Sequence, residues 1–233
     1  MPSYVIVPLP KLATDKERVK EAVQKFPARE CRAQFKYGTI PESFVEIEGA
    51  LIFYYVIEYE AEYETIEGVK KVEPPPVEKI PVAILDNNVL IMGHSKKEWE
   101  DKVLSFISEH IAPDYVLEYI EFEEEVLRAV VEMYPEVLQL DLTPMDGRID
   151  KISCIGRGLT ESDFWRDYGD QPLIHVKVRL VDLPEEANVG FRRKGVVTIY
   201  NRNFSVQQQI RVLKEVIRII LPHMKATFQT RLR

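Results

Sequence analysis

Residues 81–112, PVAILDNNVLIMGHSKKEWEDKVLSFISEHIA, constrain the fold more than any other stretch, because their pattern returns late in the chain. The second occurrence is 187–222, ANVGFRRKGVVTIYNRNFSVQQQIRVLKEVIRIILP. Each reads as strand, tight turn, strand and amphipathic helix. In the first, apolar runs at 82–85 and 89–92 flank Asp86-Asn87-Asn88, residues that tolerate left-handed backbone angles. In the second, 189–191 and 196–200 flank Arg192-Arg193-Lys194-Gly195. Ser95-x-x-Glu98 and Ser205-x-x-Gln208 have the form of capping boxes. Val103, Phe106, Ile107 and Ile111 correspond to Leu213, Val216, Ile217 and Leu221 at a constant offset of 110. That is one apolar stripe at helical spacing in both copies. Pro113 and Pro222 are expected to end the two helices.

The remaining elements fit an α+β chain. Residues 4–7 form a short strand, and Thr14-x-x-Glu17 opens a helix with Val19, Ala22, Val23 and Phe26 inside. Residues 31–37 alternate, with Arg32, Gln34 and Lys36 outward. Residues 50–66 would span roughly 55 Å at about 3.3 Å per residue, so a bend or a projecting end is expected. Its later part carries Glu58, Glu60, Glu62 and Glu64 on one face and Tyr59, Ala61 and Tyr63 on the other. Residues 69–72 are placed to pair back on it. A helix at 121–134, with Phe122, Val126, Val130 and Met133 inside, and a strand at 137–142 follow. Strands at 148–157 and 173–182 flank a short helix capped by Thr160. The second of these strands points Ile174, Val176, Val178 and Leu180 inward and His175, Lys177 and Arg179 outward. The expected organisation is a first α+β half at 1–113, a connecting helix and strand at 114–146, and a second α+β half at 147–233.

This order of elements, carried at residue level by ILDNNVLIMGHS and its later counterpart, resembles the duplicated TATA-binding-protein-like, helix-grip-like fold. The resemblance implies two related halves, each a curved antiparallel sheet with helices packed on one face and the other face open. The paired phenylalanines that such saddles wedge into the minor groove have no counterpart here, so DNA bending of that kind is not implied.

Charge distribution bears on function. The chain carries −7 overall, which argues against a generic polyanion binder. Residues 1–146 hold 15 Lys/Arg against 29 Asp/Glu, whereas 147–233 hold 16 against 9. A basic second half suggests a binding face there. Its candidate residues for contacting nucleic acid are Lys151, Arg157, His175, Lys177 and Arg179, with Arg192, Arg193 and Lys194 at a hairpin tip; Arg32, Gln34 and Lys36 add to them from the first half. Cations at strand spacing can track phosphates, and an open sheet can stack bases. The ribbon of Glu58, Tyr59, Glu60, Glu62, Tyr63 and Glu64 is a candidate surface for a protein partner or a second copy.

Catalytic signatures are weak. Arg218-x4-His223 has the spacing of HEPN-type ribonucleases, but those domains are all-helical. Asp141, Asp146 and Asp150 are explained by a turn, and the four histidines lack zinc-ligand spacing. Phosphate-binding glycine loops and nucleophile elbows are missing. With only Cys31 and Cys154, neither a disulfide framework nor a thiolate metal site is suggested. The start MPSYVIVPLP does not read as a signal peptide, and no apolar run reaches membrane-span length. A cytoplasmic protein is expected, and the abundance of charge over Asn and Gln suits a thermophile. The leading expectation is therefore a non-enzymatic nucleic-acid-binding protein needing no cofactor. The alternatives are an interaction adaptor or oligomer subunit using the acidic ribbon, and a diverged metal-dependent nuclease.

Overall fold

A computed structural model describes residues 1–10, 15–30, 35–113, 115–145 and 148–231, and its described residues form an α+β structure of antiparallel sheet and five α-helices. The chain divides into two compact units, Ile6–Glu118 and the pairing of Met1–Val5 with Tyr119–Arg233. They are called the N-terminal and C-terminal units below. β1 (Ser3–Pro8) contributes its first residues to the C-terminal unit.

In the N-terminal unit, α1 (Lys16–Lys25) is followed by β2 (Arg29–Glu30), β3 (Lys36–Ile47) and β4 (Ala50–Glu58). Next come a small hairpin, β5 (Glu62–Thr65) and β6 (Gly68–Lys71), then β7 (Val77–Leu85), β8 (Val89–Gly93) and α2 (Lys97–Phe106). A π-helical turn, Ile107–Ile111, extends α2. The sheet order is β8-β7-β4-β3-β2, antiparallel throughout. The long apolar run at 50–58 is buried on both sides of its pleat, as a central strand should be. The expected bend falls at residues 59–61, after which β5 and β6 pair only with each other, Glu62 opposite Lys71 and Glu64 opposite Val69.

The C-terminal unit contains α3 (Glu124–Met133), β9 (Val137–Leu142), β10 (Ile152–Ile155), α4 (Asp163–Tyr168), β11 (Leu173–Leu180), β12 (Ala187–Arg192), β13 (Val196–Ile199) and α5 (Val206–Arg231). Its sheet order is β10-β9-β11-β12-β13-β1. β9, expected in a connecting segment, is thus an interior strand, paired with β10 on one side and β11 on the other. Leu140, Val176, Val178, Val189, Phe191, Val197 and Ile199 are fully buried. Their alternation makes one face of this sheet apolar. Both long helices lie on that face. Phe122, just before α3, has its ring 6.2 Å from Phe191. The hydroxyl of Tyr4, which shares the face through its register with Val197, donates to Gln209 of α5. Burying each of these large side chains contributes about 1.5–3 kcal/mol before entropy is counted, so the helices are held by the sheet rather than by propensity.

Both stretches that share the sequence pattern fold as hairpin and helix, with local differences from expectation. The turns have three residues each, and the last is left-handed in both, Asn88 at φ 62° and Gly195 at φ 77°. Ser205 and Gln208 form the expected reciprocal cap. Ser95 does not pair with Glu98; its N–H donates to Glu100, which is buried. Thr14 of the expected first box lies outside the described residues, and Asp15 caps α1 by accepting from the Arg18 N–H. α5 runs through Pro222 rather than ending there. In α3 the inner face is Val126, Leu127, Val130 and Val131, so Met133 is exposed. Ser162, not Thr160, caps α4.

Candidate functional site

Register on the C-terminal sheet decides which expected site residues meet. Cross-strand partners share a face. Ser153, Asp141, His175, Arg192 and Val196 form one row across β10, β9, β11, β12 and β13. Ile155, Gln139, Lys177, Gly190 and Thr198 form the next. Arg179 and Asn188 begin a third. This is the face opposite the one that α3 and α5 occupy. Lys177, Arg179 and Arg192 therefore do lie together on it, and Lys151 reaches it by pairing with Asp141.

His175 departs from expectation. It has outward parity but is only 6% exposed. Its Nδ1 is 3.2 Å from Asp141 Oδ2, and its Nε2 is buried with no hydrogen-bond partner. The imidazole leans over Gly190, where a Cβ would come within 2.8 Å of Nε2. The bare glycine thus makes room for the ring beside Tyr200. Desolvation is the main cause that lowers the His175 pKa below its ordinary value, with Asp141 opposing and Arg192 reinforcing. Burial alone would raise the Asp141 carboxyl. Hydrogen bonds from Gln139, Lys151 and Ser153 outweigh it and hold the pKa below the usual carboxylate value. Asp141 is a carboxylate with Lys151 Nζ at 2.6 Å, Gln139 at 3.0 Å and a neutral imidazole at its other side. His175 is accordingly not a surface contact for phosphate.

The other cations differ in availability. Arg179 pairs with Glu136 at 3.3 Å and lies 3.9 Å from Glu186. Lys177 places its Nζ 4.1 Å from the Tyr200 ring centroid, a cation–π contact that leaves its charge unneutralised. Arg192, Arg193 and Lys194 are exposed around the β12–β13 turn, and Arg157 is exposed beyond β10. Arg32 and Gln34 lie outside the described residues. Lys36 is in β3 of the N-terminal unit, with its N–H donating to Glu58. Counted by unit, the C-terminal unit has 17 Lys/Arg and 17 Asp/Glu, and Ile6–Glu118 carries the whole −7. The basic character of 147–233 is offset by the acidic residues of 119–146 that pack with it.

The acidic ribbon is not a single comb. Glu58 ends β4, and Tyr59 turns back onto Trp99 of α2 with rings 4.9 Å apart and Lys96 over both. Glu60 pairs with Lys71. Tyr63, Val69 and a fully exposed Ile66 leave apolar surface on the small hairpin.

Asp141 and Tyr200 were not identified as site residues from the sequence. The signal for Asp141 was present as outward parity in β9, but its partners depend on strand order. Arg218 pairs with Glu215 and, like His223, is exposed. Among the described residues, no cluster of three His, Cys, Asp or Glu side chains is placed to hold a metal ion, and no helix is long and apolar enough to cross a membrane. No family model matches the chain, and no curated protein matches it either.

Proposed function

We propose that the C-terminal unit binds a nucleic-acid strand across its polar sheet face. The observation that carries this reading is the placement of Lys177 and Arg192 in adjacent rows of that face, beside the exposed Arg193-Lys194 turn and the Tyr200 ring. Cations at this spacing suit successive phosphates, and an aromatic ring among them suits a base. The unit is electrically balanced, so binding rests on this local row and not on a general basic field. Three or four phosphate contacts on a single strand give a log–log salt slope of about −2 to −3. We also propose that the two hairpin–helix units are copies of one ancestral module, a reading supported by their matching left-handed third turn residues and aligned helix stripes.

The test is fluorescence anisotropy with labelled single- and double-stranded DNA and RNA at low and moderate salt. Lys177→Ala with Arg192→Ala should weaken binding about 100-fold at low salt if each contact contributes about 1.4 kcal/mol. No binding of any probe at low salt rejects the reading. A second reading, a protein-docking role for the β5–β6 hairpin, rests on the full exposure of Ile66 at its tip. Self-association that Ile66→Asp abolishes, measured by sedimentation without nucleic acid, would favour it.

A further inference from the structure

The N-terminal unit holds a second convergence of chemistry, independent of the polar sheet face. A cleft of about 410 Å³ opens where the end of α1, β3, β4 and the π-helical turn meet. That volume is typical of small-molecule sites. Its floor is aromatic and buried, with Tyr55 and Phe106 rings 5.6 Å apart. Its walls are aromatic and half open. Phe26 and Tyr37 are 39% and 36% exposed. Phe26 stacks on His110 at 3.5 Å between centroids and 16° between planes. Lys102 of α2 places Nζ 5.2 Å from the Tyr37 ring centroid, whereas Lys25, the last residue of α1, lines the same cleft with its Nζ paired to Glu21 at 3.0 Å, and Glu109 lines it beside His110.

The walls are held in place. Thr39, which is buried, donates its N–H to the Phe26 carbonyl at 3.1 Å and its hydroxyl to the Val23 carbonyl at 2.6 Å. These bonds clamp the end of α1 to β3 and fix Phe26. Gly38, at φ 145°, sits so close to Ala28 that a Cβ would come within 2.7 Å of its Cα. The Ala112 N–H closes the π-helical turn on the Ile107 carbonyl at 2.7 Å, and the wider turn carries His110 onto Phe26. Such insertions cost helix stability and concentrate at functional sites. Preorganised ring faces with the Lys102 ammonium over one of them define a ligand by its shape and charge.

We propose that this cleft binds a planar aromatic anion of mononucleotide size, its ring against Phe26, Tyr37 and the aromatic floor and its anionic group at Lys102. Ring faces accept any flat heterocycle, and the Lys102 ammonium supplies the charge selection. Neither half of the ligand is sufficient alone.

The test is titration of the isotope-labelled full chain, followed by amide NMR shifts at residues 37–39 and 102–112. The probes are AMP and naphthoate, with adenosine as ring without charge and ribose phosphate as charge without ring. At least one aromatic anion should give saturable shifts at these residues, and each control should bind AMP-competitively at least about tenfold more weakly, or not at all. Lys102→Glu and Tyr37→Leu should each weaken the anion about tenfold while leaving the melting temperature unchanged, since both side chains are exposed. No saturable shift with either anion overturns the proposal. So does ribose phosphate binding as well as AMP, or anion binding indifferent to both substitutions. Because the polar face of the C-terminal unit is untouched by these variants, failure here and failure of strand binding are read separately.

Discussion

The hairpin and helix β7–β8–α2 and the hairpin and helix β12–β13–α5 begin from nearly the same pattern and are finished differently. The first turn, Asp86–Asn88, ends on a left-handed asparagine. The second ends on Gly195, pressed against the Ile120 carbonyl, while the adjacent Arg193 carbonyl accepts from Phe122 at 2.9 Å. At the helix start, Ser205 and Gln208 satisfy each other. In the first hairpin–helix unit the buried Glu100 takes over, accepting from the Ser95 N–H and contacting His94 Nδ1, both at 2.7 Å. At the far end, α2 widens into a π-helical turn and α5 continues past Pro222. The comparison teaches that turn and stripe are local properties, whereas caps and ends answer to whatever packs on them.

The sharpest way to break the comparison is at the turn. Gly195→Ala forces an L-residue into a left-handed angle and its Cβ into the Ile120 carbonyl. It should cost ~3 kcal/mol or more in urea unfolding. Asn88→Gly, at the matching position, should change stability by less than about 1 kcal/mol. Equal effects would show that the two turns are under the same constraint. The next test is at the caps. Glu100→Ala removes a buried acceptor and should cost about 2–3 kcal/mol, against about 0.5–1 kcal/mol for Gln208→Ala in its exposed box.

A smaller effect separates the modules by pH. The second module's sheet bears His175, neutral and buried over Gly190. Its pKa is lowered on folding, so the unfolded chain binds its proton first. That contribution is present above the ordinary value of 6.5 and is lost as pH falls below it. Urea midpoints should therefore fall more steeply from pH ~6.5 to ~5 in the native chain than in His175→Gln. Asp141 adds a second loss only below its ordinary 3.8, because its folded pKa is also lowered. The smallest effect is expected at the small hairpin, where Ile66→Asp should shift stability by no more than about 0.5 kcal/mol.

Much of this was legible in the sequence because it depends on near neighbours. Alternation at 173–180 located β11 and its buried valines, and helical spacing located the stripe of α2 and α5. The outward parity of Lys177 and Arg179 was also readable, whereas Arg192, expected in the turn at the hairpin tip, is the last residue of β12. That the three share one face follows from the order β9-β11-β12, which places residues far apart in sequence in adjacent positions. The aromatic cleft was not legible at all. Phe26, Tyr37 and His110 come from three separate elements, and no spacing links them.

The amino-acid sequence by itself determined the elements, their buried faces and the two hairpin–helix units, because period, turn chemistry and side-chain volume act over a few residues. Tertiary structure decided which charges remain free. Parity exposes His175, but Asp141 and Tyr200 beside it and Gly190 beneath it enclose the ring. Net charge makes 147–233 basic, yet α3 and its flanking residues pack into the same unit and balance it. Electrostatics and burial depend on distance in space, and strand order rather than chain order sets that distance.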